Sequence, residues 1–108
     1  IPSRIAMELA LTGDFISAER AYELGMINRV VEPGNALDGA RALATAIAAN
    51  GPLALIASKQ IIRESQDWSQ DEMFDKQNAI ANPVFTSEDA IEGATAFAEK
   101  RPPQWKGR

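Results

Sequence analysis

The sequence predicts a mostly α fold with about six helices and one short strand, and three observations support that prediction. Apolar residues recur at helical spacing through most of the 108 residues. Residues typical of helix starts and helix ends separate these periodic segments. Alanine is abundant within them, which favours helix formation and close packing but buries little surface per residue. We therefore expect a helical module that packs against another surface.

The first third of the chain is predicted to form two short helices and an extended segment. Residues 3–12 have the helical periodicity of the first helix. Ser17 is a typical N-cap for the second helix, which Gly25 is predicted to end. Residues 26–31 are rich in β-branched side chains and stop at Pro33-Gly34, so we predict a short strand there. Because this strand is too short to be stable alone, it should pair outside the chain or lie as an extended connector.

Two further helices are predicted in the middle of the chain. Asn35 can cap the third helix, and Asn50-Gly51 is predicted to end it. Pro52 suits the first turn of the fourth helix, which should continue to about Asp67.

The last two helices are predicted from capping patterns and prolines. Ser69 with Glu72 forms a capping-box pattern for a helix that should reach about Ala81, just before Asn82-Pro83. Thr86 with Asp89 is predicted to open the final helix, and Pro102-Pro103 to end it.

Composition excludes several classes of function. The net charge of −4 disfavours nucleic acid as a partner, because proteins that bind phosphate backbones usually carry a broad basic face. No apolar run is long enough to span a membrane, and no signal-peptide pattern opens the chain, so no membrane partner is predicted. The absence of cysteine favours a reducing compartment, and we expect a cytoplasmic location. Because the first residue is Ile1 instead of methionine, we expect a fragment of a longer protein.

No self-contained active site is predicted, and neither catalytic residues nor metal ligands are assigned. There is no histidine, so the commonest general base and metal ligand is missing. Two acidic clusters could act as carboxylate pairs, but each also lies where the dipole of a predicted helix start stabilises negative charge. The clusters are Asp71, Glu72 and Asp75, and Glu88, Asp89 and Glu92.

The basic end of the chain is the one candidate site. It contains Lys100, Arg101, Lys106 and Arg108, four of the eleven basic residues. One interpretation is a solvated tail, favourable near a helix C-terminus. The other is that Phe97 and Lys100, three apart on one helical face, present a ring and an ammonium to a phosphate-bearing ligand, with the remaining cations adding phosphate contacts. Spacing leaves both interpretations open.

Two stretches resemble the crotonase (enoyl-CoA hydratase/isomerase) superfamily. Residues 4–31, RIAMELALTGDFISAERAYELGMINRVV, are similar to that family's helix, LTG turn, A-x-E-A-x-x-x-G-L-V helix and short strand, with Arg20 in place of an acidic residue. Residues 87–107, SEDAIEGATAFAEKRPPQWKG, resemble its C-terminal S-x-D-x-x-E-G-x-x-A-F-x-E-K-R-x-P-x-F-x-G, with Trp105 in place of phenylalanine. The chain thus resembles the C-terminal segment of a crotonase.

This resemblance implies a place in a larger fold. Crotonases form a spiral of ββα units followed by a helical trimerisation module, and their hexamers are dimers of trimers. Residues 1–34 would be the end of the core, and residues 35–108 the helical oligomerisation module. The oxyanion hole and the catalytic carboxylates of the family have no counterparts here, so the catalytic core would be absent and the chain alone inactive.

The resemblance also implies a ligand. Crotonases bind acyl-CoA, and coenzyme A is then part of the substrate, with no separate cofactor. Phe97 and Lys100 match the family residues that approach the nucleotide portion of CoA. The simplest parent is a 2-enoyl-CoA hydratase of fatty-acid oxidation. The alternatives are another crotonase reaction, such as an isomerase, thioesterase or decarboxylase, and a stand-alone helical association module.

Overall fold

A computed structural model describes the whole chain, residues 1–108, and contains six α-helices, one 3₁₀ turn and no strand. The predicted mostly α fold is therefore confirmed. The helices are α1 (Ser3–Thr12), α2 (Ala18–Glu23), α3 (Ala36–Ala48), α4 (Pro52–Glu64), α5 (Met73–Phe85) and α6 (Glu88–Glu99), and the 3₁₀ turn is Ser65–Asp67.

The chain divides into two compact units, Ile1–Leu43 and Ala44–Arg108. In the first unit, α1 ends where predicted, at a left-handed Gly13 with φ 72°, whose N–H donates to the Leu9 carbonyl at 3.0 Å. The predicted N-cap of α2 is also present, because Ser17 Oγ accepts a hydrogen bond from Arg20 N at 3.1 Å. The expected boundary between the end of the crotonase core, residues 1–34, and the oligomerisation module, residues 35–108, stays a prediction.

The predicted strand at residues 26–31 is wrong. These residues form bends and an extended connector instead. Every regular element of the chain is a helix, so no second strand is present to complete a ladder of backbone hydrogen bonds. Val30 and Val31 are 39 % and 41 % exposed, so their β-branched side chains do not cover a core face within this unit.

In the second unit, the start and end of α5 differ from the prediction. Ser69 Oγ does donate to Glu72 Oε2 at 2.8 Å, but the helix begins only at Met73. That bond, followed by the contact with Lys76, lowers the pKa of Glu72. Pro83 lies inside α5 and does not break it. A proline so close to a helix end removes a single backbone hydrogen bond, so the helix continues to Phe85.

The cap of α6 lies one residue beyond its predicted position. Thr86 is the last residue of the preceding turn, and its hydroxyl donates to carbonyls at the end of α5, those of Asn82 at 3.4 Å and Pro83 at 3.3 Å. The N-cap is Ser87, whose Oγ accepts from Ala90 N at 3.1 Å. The Thr86 hydroxyl is committed to α5, so the next hydroxyl along the chain caps α6.

The helices bury little apolar surface. Ala57 and Ala96 are the only buried hydrophobic residues, whereas many large apolar side chains are exposed. No single helix is both long and apolar enough to cross a bilayer. The segments Ala36–Ala48 and Pro52–Asp67 reach the required length and composition only when they are taken together, and they are bent by 108° relative to each other.

Candidate functional site

The last helix ends in an unusual backbone conformation at Lys100. Its φ of 54° and ψ of 40° are left-handed, and it is the only non-glycine residue with positive φ. Lys100 N–H donates to the Phe97 carbonyl at 3.2 Å, and Arg101 N–H donates to the Ala96 carbonyl at 3.0 Å. These two bonds form a Schellman motif, in which glycine usually takes the left-handed position. Lysine therefore lies where the backbone would favour glycine.

After this cap the chain turns back along α6 and is held by Asp89. The Asp89 residue is 4 % exposed, and its two carboxylate oxygens accept from the backbone N–H groups of Lys106 at 2.7 Å and Gly107 at 2.9 Å. Its own N–H donates to the Arg108 carbonyl at 3.0 Å. The start of α6 and the end of the chain are thus joined by three hydrogen bonds.

Glu92 holds the middle of the tail. Oε1 accepts from Arg101 Nη1 at 2.6 Å and from Gln104 N at 2.7 Å, while Oε2 accepts from Arg101 Nη2 at 3.0 Å. The hydrogen bonds from Arg101, and then the one from Gln104, lower the pKa of Glu92 to about 2. In return, hydrogen bonding to Glu92 and then to Glu99 raises the pKa of Arg101.

Trp105 attaches the tail to the turn between α3 and α4. Its indole Nε1 donates to the Ala49 carbonyl at 2.9 Å, and its ring lies against Gly51 and Gly93. A Cβ atom at position 93 would lie only 3.1 Å from this ring, so glycine lets the ring approach α6 without displacement.

Three of the four cations of the basic end are neutralised by acidic side chains. Arg101 pairs with Glu92 and with Glu99, each at 2.6 Å. Glu88 pairs with Lys106 Nζ and with Arg108 Nε, each at 3.3 Å, and the bond from Lys106 is the main cause of its lowered pKa. These ion pairs occupy the groups expected to contact phosphate, and the contribution of Arg101, Lys106 and Arg108 to phosphate binding stays a prediction.

Lys100 differs from those cations, because it forms no ion pair. Phe97, the other predicted site residue, is 88 % exposed. The premise that both lie on one helical face is corrected: Phe97 is on α6, whereas Lys100 lies beyond its end. The backbone bond between them keeps them adjacent, and their contact with a common ligand stays a prediction.

Sequence reasoning missed the role of the second acidic cluster. The dipole interpretation explains why Glu88, Asp89 and Glu92 are tolerated at a helix start. In the structure each of them also binds the tail. The available signal was the charge complementarity between this cluster and the basic end. Of the first cluster, only Glu72 makes side-chain hydrogen bonds, with Ser69 and Lys76.

Two further features were considered as sites, a metal cluster and an apolar hollow. No group of three acidic side chains could hold a metal ion. A hollow of about 320 Å³ beside Trp105 is lined mainly by apolar residues of α4, α5 and α6. Its only side chains with oxygen atoms, Ser87 and Asp89, are already hydrogen-bonded.

Comparison with known proteins covers the whole chain. A sequence profile described as Enoyl-CoA hydratase/isomerase matches residues 1–108. Enoyl-CoA hydratase EchA19 of Mycobacterium tuberculosis is 47 % identical over 108 residues, which are 100 % of this chain and 41 % of that protein. Carnitinyl-CoA dehydratase of Salmonella arizonae is 41 % identical over 111 residues, covering 99 % of this chain and 42 % of that protein.

Solved structures agree in fold. An enoyl-CoA hydratase from Mycobacterium tuberculosis H37Rv superimposes with a TM-score of 0.98 at 63 % identity, over 100 % of this chain and 43 % of that one. Enoyl-CoA hydratase EchA1 from Mycobacterium marinum gives a TM-score of 0.97 at 64 % identity, with the same coverage.

The chain therefore spans about two-fifths of the length of the relatives that it matches. The resemblance to the C-terminal segment of crotonases, deduced from residues 4–31 and 87–107, is confirmed. This chain belongs to the enoyl-CoA hydratase/isomerase family.

Proposed function

We propose that this chain is the helical, CoA-contacting part of an acyl-CoA-processing enzyme, most simply a 2-enoyl-CoA hydratase. The names of its relatives support an acyl-CoA substrate, since enoyl-CoA hydratase and carnitinyl-CoA dehydratase both denote addition or removal of water on a CoA thioester. Such an enzyme adds water across the 2,3 double bond of a trans-2-enoyl-CoA.

The observation that carries the proposal is the contrast between Lys100 and the other cations of the basic end. Arg101, Lys106 and Arg108 are paired with acidic side chains, whereas Lys100 forms no ion pair and its backbone N–H is bonded to the carbonyl of the exposed Phe97. An unpaired cation and a bare ring at one helix end are complementary to a ligand that carries both phosphate and an aromatic base.

The nucleotide portion of CoA has both of these groups. An ammonium is a compact charge suited to a phosphate oxygen, and an aromatic side chain offers a stacking surface to a purine. In this proposal Lys100 binds a CoA phosphate and Phe97 contacts the adenosine. CoA serves as part of the substrate, and no separate cofactor is needed.

The hydration chemistry itself is assigned to residues outside this chain. A crotonase-type reaction needs paired backbone N–H groups to stabilise the enolate oxyanion and carboxylates to move protons. Within this chain, Asp89 and Glu92 are occupied by the tail. The part of this chain is to bind the nucleotide end and to support assembly, in a protein that we place in the cytoplasm.

The proposed support of assembly rests on exposed surface. The chain exposes 8736 Å², whereas a compact monomer of 11.7 kDa is expected to expose about 5,900 Å². Phe85 and Ile91, which are 74 % and 68 % exposed, are examples of side chains that a neighbouring surface would cover. We propose that this surface packs on the rest of the enzyme and on other subunits of a homotrimer or a dimer of trimers.

The CoA site is tested by calorimetric titration of CoA into the complete gene product. Lys100→Ala and Phe97→Ala should each weaken binding by about 5-fold or more, the effect of losing roughly 1 kcal/mol. The matched control is Lys106→Ala, which removes a tail lysine that is paired with Glu88 and should leave the affinity unchanged. Equal binding by wild type and Lys100→Ala would overturn the assignment.

The reaction is tested with crotonyl-CoA. The complete gene product should hydrate it, and the isolated 108-residue chain should not. Hydration by the isolated chain would contradict the division of roles. If the complete product binds CoA but does not hydrate crotonyl-CoA, an alternative crotonase reaction is indicated. If it neither binds CoA nor acts on the thioester, a stand-alone association module is the better interpretation.

A further inference from the structure

Glu92 makes more hydrogen bonds to the tail than any other side chain of α6. Its side chain is 22 % exposed, and both carboxylate oxygens are used. Arg101 contacts it in a bidentate arrangement, with N–O distances of 2.6 and 3.0 Å, and Gln104 N adds a third bond at 2.7 Å. Bidentate arginine–carboxylate pairs fix orientation as well as distance.

These bonds lie directly beside the strained residue of the tail. Arg101 follows Lys100 in sequence, and its N–H makes one of the two bonds of the Schellman cap. The left-handed conformation of Lys100 is strained for a residue with a Cβ atom, so surrounding contacts must maintain it. By holding Arg101 and Gln104, Glu92 keeps the chain after Lys100 from relaxing into another path.

Glu92 also acts on the electrostatics of this helix end. Without its carboxylate, the Arg101 guanidinium would have only Glu99 as a partner, and the Glu99 side chain is 57 % exposed. A weakly paired guanidinium next to Lys100 would compete for the same anion. Pairing with Glu92 holds Arg101 against α6 and leaves Lys100 as the one cation of the basic end without an acidic partner.

We propose that Glu92 is a positioning residue for Lys100: it does not touch the ligand, but it sets the direction in which the ammonium is presented. This inference rests on the proposed binding of a CoA phosphate by Lys100. It goes beyond that proposal because it assigns part of the affinity for the nucleotide to a partly buried ion pair that does not contact the ligand.

A double-mutant cycle in the complete gene product tests the inference. The dissociation constant of CoA is measured by calorimetry for wild type, Glu92→Gln, Lys100→Ala and the double variant. Glu92→Gln should weaken CoA binding by about 3- to 10-fold, a range typical of the coupling between groups in one network. In the Lys100→Ala background the same substitution should have no further effect, because Glu92 acts through Lys100.

Two further variants serve as controls. Glu88→Gln removes another acid of α6 that binds the tail, through Lys106 and Arg108, and should leave the affinity for CoA unchanged. Arg101→Gln removes the other partner of the Glu92 ion pair. It should also weaken CoA binding, and only when Lys100 is present. Arg101→Gln keeps the cycle measurable if Glu92→Gln does not fold.

The outcomes separate this inference from the proposal on which it rests. An equal effect of Glu92→Gln with and without Lys100 would show a general structural role and overturn the inference, as would unchanged binding by Glu92→Gln. Unchanged binding by Lys100→Ala would instead reject the CoA site itself.

Discussion

At Lys100, the backbone and the side chain favour different amino acids. The left-handed position of a Schellman cap favours glycine, because any Cβ atom there is strained. The ammonium, however, is the only cation of the basic end without an acidic partner. Strained backbone conformations of this kind are common at binding sites, where the residue that the ligand needs differs from the residue that would be most stable.

Lys100→Gly should therefore stabilise the protein while weakening its affinity for CoA. Relief of the left-handed strain predicts a gain of about 1 kcal/mol in the free energy of unfolding, measured by urea denaturation. Lys100→Ala is the matched control, since it removes the ammonium but keeps the Cβ atom, and it should not be stabilised. If both variants had the same stability, the strain at this position would be disproved.

The sequence predicted correctly the contacts between residues that are close in the chain, and it did not predict the contacts between distant residues. The Ser17 cap depends on a contact only three residues away, and such spacing can be read directly. Glu92 lies 9 residues from Arg101, and Glu88 lies 18 residues from Lys106, so these two pairings depend on the path of the tail. That path is set in part by Trp105 packing on Gly93, which no local pattern reveals.

Among the elements, α6 and the tail behave as one unit. The helix presents Glu92 and Asp89 to successive segments of the returning chain, so the middle and the end of the tail each have their own carboxylate. Helical periodicity predicted α1, α4 and α6 well because it depends on neighbours within one turn. The strand at residues 26–31 was predicted wrongly, because strand formation depends on a partner elsewhere.

The middle contact of the tail should persist to strongly acidic pH. Since the pKa of Glu92 is lowered from 4.5 to about 2, its contribution to stability is complete above pH 4.5 and is lost as the pH falls toward 2. The backbone amide of Gln104, which donates to Glu92, reports this directly in NMR spectra. Its shift should titrate with a midpoint near 2. In Glu92→Gln the titration should disappear, and a midpoint at the ordinary value of 4.5 would contradict the hydrogen-bonded geometry.

On the scale of the whole molecule, the exposed surface is the dominant feature. Only two hydrophobic residues, both alanines, are buried. The family could be deduced from two motifs in sequence, but the extent of uncovered surface could not, because it depends on how helices pack in three dimensions. In the proposed enzyme, the rest of the subunit and its neighbours would cover this surface and complete its apolar contacts.

The complete gene product should therefore sediment as a trimer or a hexamer. Analytical ultracentrifugation across a range of concentrations gives the mass directly, and dilution distinguishes a stable assembly from a weak one. Because obligate interfaces bury large apolar areas, we expect no dissociation at micromolar concentration. A monomer would show that the exposed helices are covered within a single subunit.

Trp105 gives the protein an intrinsic optical sensor. Its half-buried indole is hydrogen-bonded to Ala49 and lies against Gly51 and Gly93, and Trp68 is the only other tryptophan. With Trp68 replaced by phenylalanine, the remaining emission would come from the tail alone. Detachment of the tail by acid, by substitution or by proteolysis would move that indole into water and shift its emission to longer wavelength. The same ring that fastens the tail thus allows its release to be followed in real time, without any added label.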